Sequence, residues 1–200
     1  MVQKKVGRPR NFDMDTALEA AVNVFWAKGY DGSSIRDLTD AMGINSPSLY
    51  AVFGDKHSLY LKAIERYTTN DACEPLVAFE SEPDIHKAVR ALMNAALDYA
   101  TQKGDGRLGC FLGSCVATNA GSVEGVKELL QQAILATDLR IAKRFDREKS
   151  KGNLPGDFPS LQRARLMLDL RQGHVLRARA GLDRQSMAED LNHRVQIILD

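Results

Sequence analysis

The stretch Ser34-Ile-Arg-Asp-Leu-Thr-Asp-Ala-Met-Gly-Ile-Asn-Ser-Pro-Ser-Leu-Tyr-Ala-Val-Phe53 decides the fold. It reads as two short helices joined by a tight turn. Ser34 and Asp37 have capping-box form, with Asp in place of the usual Glu, and Ile35 and Leu38 give the first helix its apolar face. Gly43 stops that helix. Ser46 is expected to cap the second, with Pro47 at its first position, where a missing N–H is no loss. Leu49 and Phe53, four apart, turn inward together, and Gly54 ends the segment. This is helix-turn-helix organisation. A helix fits the major groove of DNA, and its N-terminal end presents side chains to base edges. Ser46, Pro47, Ser48, Tyr50 and Ala51 are left facing solvent. They can bond phosphates, read base edges or touch a thymine methyl, and Lys56, just beyond, can reach a phosphate. Tyr50 has a second reading, as a ring packed on the preceding helix.

Outward from that stretch nearly everything after residue 12 is helical in pattern. Asp13 caps a helix carrying Leu18, Ala21, Val22 and Phe25 at helical spacing, with Phe12 before it as a staple, and Gly29 ends it. Another runs from Lys56 to about Thr69, burying Leu59, Ala63, Ile64 and Tyr67. Breaks are expected around Glu74-Pro75 and 81–84. Asp84 opens a long helix through Tyr99, and further helices are expected at about 108–118, 122–150, 160–180 and 186–199. The segment 152–156, rich in glycine and proline, is a loop. No run alternates with period two between turn signals, so the fold class is all-α, with about nine helices. The expected organisation is a basic arm (1–12), a three-helix helix-turn-helix domain (13–55) and a larger helical domain (56–200).

Composition sets bounds on this reading. Of 200 residues, 44% are hydrophobic and 26% charged, an ordinary globular balance with enough apolar material for a core. No run of 18 apolar residues exists, so no membrane helix is expected. Met1 to Arg10 is polar and basic without an apolar stretch, which reads as cytoplasmic and not as a secretory signal. Net charge is +1, which by itself says nothing about nucleic acid. Lys4, Lys5, Arg8 and Arg10 make the first ten residues basic, whereas 13–56 carries more acids than bases. A DNA-binding claim therefore rests on the arm and on side-chain placement.

From Gly7 to Tyr67 the sequence resembles the TetR/AcrR family of regulators. The residues that carry the resemblance are Gly7-Arg-Pro-Arg10, Ala20-Ala-Val-Asn-Val-Phe25, Lys28-Gly-Tyr30, Ser33-Ser-Ile-Arg-Asp-Leu38, Ala41-Met-Gly-Ile44, Ser48-Leu-Tyr50 and Phe53-Gly-Asp-Lys56. Beyond Tyr67 the likeness lies only in helicity and length. The resemblance implies a DNA-binding domain, a ligand-binding domain that also forms a homodimer, and repression of transcription relieved by a small-molecule inducer. It implies no enzyme and no cofactor. Carried over by position, Ser34 and Arg36 match phosphate-contacting positions, and Ser46, Pro47, Ser48 and Tyr50 match the face that meets bases and backbone. Lys56 matches a phosphate-binding lysine, and Arg8 and Arg10 resemble an arm that some members lay along or into the minor groove. The recognition helix lacks Arg, Asn and Gln, the side chains that bond a base edge through two atoms. Modest base discrimination is expected, with phosphate contacts, Tyr50 and DNA shape supplying much of it.

Other constellations carry less. Gly104-Asp-Gly106-Arg-Leu-Gly109 matches a dinucleotide-binding pattern in letters, but a helix precedes it and no sheet surrounds it, so a loop is expected. Three cysteines (Cys73, Cys110, Cys115) are too few for a disulfide framework, and with four dispersed histidines they offer no metal site. Cys110, near a helix N-terminus and beside Arg107, supports an alternative in which a redox or electrophile signal acts through this thiol; a buried structural thiol is the plainer reading. Tyr99, Cys110, Phe111 and Ser114 are candidate pocket residues by position. In 160–180, Arg171 and His174 interrupt an apolar line of Leu161, Leu168 and Val175. They either pair across the two-fold axis of a dimer built on the last two long helices, or line the pocket and favour an anion. The rival classes are a small helical enzyme using Cys110 with a histidine, for which no motif exists, and an interaction module without DNA binding.

Overall fold

The structure, a computed structural model, describes residues 13–69, 73–101 and 109–200. Arg8, Arg10, Arg107 and most of the glycine-rich 104–109 stretch lie outside the described residues. Among the described residues every regular element is helical, as the sequence pattern requires.

The first helix, α1 (Met14–Gly32), starts where the Asp13 carboxylate accepts the Thr16 N–H at 2.7 Å. Its helical geometry breaks at Gly29, whose φ of 75° is left-handed. Helix α2 (Ile35–Met42) opens with the expected capping box: Asp37 N–H donates to Ser34 Oγ at 3.1 Å, and Ser34 N–H returns to the Asp37 carboxylate at 2.9 Å. Gly43, at φ 65°, turns the chain into α3 (Ser46–Phe53). One expectation is corrected here. The cap of α3 is Asn45, whose side chain accepts the Ser48 N–H at 2.9 Å from an extended backbone, and Ser46 is the first helical residue. Asn caps as well as Ser, and here its carbonyl reaches the third N–H of the turn.

Helix α4 (Lys56–Thr69) follows, and then α5 (Glu74–Ser81), where the sequence suggested only breaks. Pro75 begins this helix instead of interrupting it, because the first turn needs no N–H from it. Helix α6 (Ile85–Thr101) begins with Asp84 accepting the Lys87 N–H at 2.8 Å. The next segment is not plain α-helix. Leu112–Val116 forms a π turn that continues into α7 (Ala117–Asn119). Gly113 stands against α9 so closely that a Cβ would lie 2.4 Å from Gln172 Oε1. The chain closes with α8 (Val126–Ser150), α9 (Ser160–Arg179), α10 (Arg184–Ala188) and α11 (Leu191–Leu199), the last two replacing a single expected helix.

Two cores result. The first gathers Ala21, Phe25, Leu38, Leu49, Phe53, Leu59, Tyr60 and Ile64 from α1–α4, and it takes in Phe111, Cys115, Val116 and Val126 from the chain beyond. The second surrounds α6, which packs against α5, α9, α10 and α11, and Ile141, Ala142 and Phe145 of α8 belong to the same cluster as its Leu92, Met93 and Leu97. An aromatic cluster joins them: Trp26 of α1 lies 5.9 Å from Tyr67, 5.7 Å from Tyr99 and 6.1 Å from Phe111, ring centre to ring centre. A buried polar network ties α8 to the α5–α6 corner. Arg144 donates to the carbonyls of Glu80, Glu82 and Pro83 and pairs with the fully buried Glu148 at 3.1 Å. Half of the exposed large apolar side chains among the described residues lie on α8 (Ile134, Leu135, Leu139) and α9 (Leu176); the others are Tyr50 on α3, Val77 on α5, Leu182 after α9 and Ile197 on α11. Arg171 and His174 are buried within the protomer.

Candidate nucleic-acid interface and ligand cavity

Helix α3 is held by its inner side. Leu49 and Phe53 are buried against α1, α2 and α4, and their spacing turns the other face outward. Tyr50 is half exposed at 51%, Pro47 and Ala51 are exposed, and Ser46 and Ser48 lie between. Because Asn45 supplies the cap, the Ser46 hydroxyl makes no hydrogen bond among the described residues. Helix α3 therefore offers two hydroxyls, a phenol and the positive end of a helix on one surface.

The surrounding charges are arranged in pairs. Lys28 meets Asp37 at 2.5 Å, tying α1 to α2 and, with the Ser34 hydrogen bonds, holding the Asp37 carboxyl well below the usual carboxylate range. Ser34 is thus engaged through both its N–H and its hydroxyl. Arg36 is 90% exposed and reaches Asp40 at 3.6 Å. Such an exposed pair is worth little, so its guanidinium can exchange the carboxylate for a phosphate. Lys56 opens α4 with its ammonium 4.6 Å above the Tyr30 ring, a seat that aims the charge beside α3. Arg66 at the other end of α4 pairs with Asp15 at 3.3 Å, and His57 Nε2 bonds the Glu124 carbonyl at 2.9 Å. Helix α4 is therefore fixed both to the three-helix head and to the entrance of α8.

A second site lies where α4, α5, α8 and α9 meet. A cavity of about 360 Å³ is bordered by Tyr67, Cys73, Leu76, Cys110, Leu129 and Arg171. A neighbouring cavity of about 430 Å³ shares Cys110 and Arg171 and continues past Ser114, Leu130, Leu168 and Val175. Of the four sequence candidates, Cys110 borders both cavities and Ser114 the second. Phe111 borders neither: it is fully buried against Tyr60 and Tyr67, at 6.4 and 5.2 Å. Tyr99 stands one layer back, outside both cavities, with its ring 5.7 Å from that of Trp26. Burial pushes the Tyr67 hydroxyl pKa well above its ordinary value, so it stays protonated. Cys115, five residues from Cys110, faces the other core. Its thiol donates to the Phe25 carbonyl at 3.2 Å, and burial pushes its pKa up, leaving an inert structural thiol.

Arg171 was legible only as an oddity. Its residue type on an apolar helix face was the signal, and its cavity position follows from the packing of α9 on α8 and on the π turn. His174 has a different role: its Nε2 accepts from Arg194 Nη1 at 2.8 Å, and burial, with the Arg194 charge, holds its pKa down to about 4. Among the described residues no group of His, Cys, Asp and Glu could hold a metal ion, and no helix is long and apolar enough to cross a membrane.

Comparison with known proteins places these features. Residues 17–63 match the model for bacterial regulatory proteins of the tetR family. The chain is 32% identical to the HTH-type transcriptional repressor BdcR of Escherichia coli K12 over 182 residues, 88% of this chain and 90% of BdcR. It is 26% identical to the repressor ComR of the same organism over 189 residues, 94% of this chain and 90% of ComR. A solved structure of the TetR family regulator CifR, with cysteine substitutions and bound to 26-base-pair operator DNA, superposes with a TM-score of 0.82. The identity there is 28%, over 94% of this chain and 98% of that one.

Proposed function

The chain belongs to the TetR family of bacterial transcriptional regulators, and on that premise we propose that it is a homodimeric repressor released from its operator by a small-molecule inducer. The observation that carries the reading is the outward face of α3, with Tyr50 half exposed on a helix whose inner side is locked by Leu49 and Phe53. Ser46, Pro47, Ser48 and Tyr50 meet the major groove. Arg36, Lys56 and Ser34 meet phosphates, the last by sharing groups already used in its cap, and Arg8 and Arg10 follow the adjacent minor groove. The head spans 13–55 and the ligand-binding and dimerising part 56–200.

Exposed apolar surface supports a dimer face. Leu135, Leu139 and Leu176 favour α8 with α9, so α9 keeps the place that the sequence reading gave it and α8 stands where the final helix was expected. A two-fold dimer presents two α3 helices to half-sites about one helical turn apart. The inducer occupies the cavity beside Cys110 and acts through α4. From Lys56 to Tyr67 this helix spans roughly 16 Å, and it touches the cavity at one end and the reading head at the other. Coupling requires that the inducer favour one placement of α4 and DNA another.

A gel shift on intergenic DNA upstream of the gene tests the reading. Binding by the wild type and its loss in both Tyr50→Ala and Lys56→Ala support it. No specific shift there, and none in a random-oligonucleotide selection, defeats it. A second reading, signalling by alkylation of Cys110, is favoured by the Arg171 guanidinium 3.7 Å from Sγ, since reactive cysteines sit beside cations. Under it, Cys110→Ser keeps operator binding but no longer releases DNA when treated with a thiol-alkylating reagent.

A further inference from the structure

Two arginines are buried among the described residues, and their surroundings differ. Arg144 has three carbonyls and the Glu148 carboxylate. Arg171, only 8% exposed, has no carboxylate at all among the described residues. Its Nη2 rests against two sulfurs, Cys110 at 3.7 Å and Cys73 at 4.0 Å. Its Nε and Nη1 have no hydrogen-bond partner among the described residues, yet they are not sealed in, because the side chain borders both cavities. A buried guanidinium without an anion is costly, and sulfur is a weak acceptor. The other arginines of the cavity walls are occupied: Arg140 holds Glu80 through two bonds of 2.6 and 2.7 Å, and Arg179 bonds the Ser114 carbonyl at 3.0 Å.

We propose that Arg171 is the recognition group for an organic monocarboxylate with a compact apolar body, bound in the cavity between α4, α5, α8 and α9. This rests on the reading of that cavity as the inducer site, and it names the ligand class. A carboxylate can take the free Nη1 together with Nη2, which gives up a weak sulfur contact, and so accept the two parallel hydrogen bonds that a planar guanidinium offers end-on. A single uncommitted cation among the described wall residues, with Glu65 on the same wall, balances one negative charge and rejects a dianion. Leu76, Leu112, Leu129 and Ala136 give the ligand body an apolar bed. The volume of about 360 Å³ is at the small end of ligand pockets, which suits a ring or a short chain. A ligand seated there also touches Tyr67, whose ring lies on Trp26 of α1, so its contacts reach the helix that carries the head.

The test uses the full-length protein, with benzoate and hexanoate as probes and benzamide and hexanol as neutral controls, read by calorimetry and thermal melting. The carboxylates are expected to bind at least about tenfold more tightly than the neutral controls, the worth of a charge-assisted bond pair. Arg171→Gln should erase that preference. Ala136→Phe, at an exposed position on the cavity wall, should block binding while leaving Arg171 intact, so the inference stays open to refutation even if the first variant fails to fold. Benzamide binding as well as benzoate, a preference that survives Arg171→Gln, or no binding of either acid at millimolar concentration each overturn the inference. A gel shift run in parallel separates the two readings. Operator binding without carboxylate binding sinks only the Arg171 inference; carboxylate binding without operator binding sinks only the regulator reading.

Discussion

Replacing Lys56 by Gln should change how operator binding depends on salt, and the size of the change follows from the geometry. The ammonium sits at the start of α4, held over the Tyr30 ring at 4.6 Å beside the outward face of α3. If it neutralises one phosphate, its loss retains about 0.9 of a counterion per protomer on DNA. A two-fold dimer carries the residue twice, so the slope of log K against log salt should become shallower by about 1.8. Between 50 and 200 mM salt, the affinity lost by the wild type should then exceed that lost by the variant by about tenfold. Fluorescence anisotropy on a labelled operator duplex across that range measures both slopes. Tyr50→Phe is the control, because removing a neutral hydroxyl can lower affinity or relax base preference without releasing an ion. An unchanged slope for Lys56→Gln, with affinity reduced equally at every salt, would refute the phosphate contact and leave Lys56 as a structural cap on Tyr30.

Further outcomes follow from the packing. Gly43→Ala, with a left-handed φ of 65° and nothing within 4 Å of the new Cβ, should cost about 1–2 kcal/mol. Gly109→Ala has the same backbone conflict and also puts Cβ 2.6 Å from Val175 Cγ1, adding about 1–3 kcal/mol; urea denaturation at fixed protein concentration should rank it clearly below Gly43→Ala. Arg144→Met takes the shared donor from three carbonyls while Glu148 keeps Lys151 at 3.0 Å and Asn153 at 2.7 Å, and a loss of about 1–3 kcal/mol is expected in the same assay. His174 titrates at about 4 when folded against 6.5 when free, so the unfolded chain binds the extra proton between those values and stability drops as pH falls through that window. At pH 5 the cost relative to neutral pH is about 2 kcal/mol. His174→Gln, which cannot titrate, should lose that much less than the wild type over the same pH step.

The reading head was legible because its signals are local. Apolar spacing in α1, the Ser34–Asp37 box, Gly43 and the Leu49–Phe53 pair each act within one turn of the chain, and each appears where the pattern requires it. The α3 cap shifted by one residue because Asn45 and Ser46 are both competent caps, and only the turn geometry chooses between them. Helix α5 was hidden by Pro75, which has opposite meanings at the start and in the middle of a helix. The cavity was less accessible still. Arg171, Cys73 and Cys110 are separated by as many as 98 residues, and no periodicity in one segment reports which helix will cross it. Within the π turn Gly113 stands against Gln172 of α9, a contact equally invisible in local sequence.

The chain contains one tryptophan, and its place in the molecule makes it an optical gauge. Trp26 belongs to the head, yet its indole leans on Tyr67 of the cavity wall, on Tyr99 behind it, and on Phe111 beside the π turn. Any shift of α4 relative to α6 changes which rings surround that chromophore. Its emission colour and intensity therefore report any such shift without an attached dye, and, under the proposed function, a stopped-flow trace of the unlabelled protein would time the step between ligand arrival and DNA release.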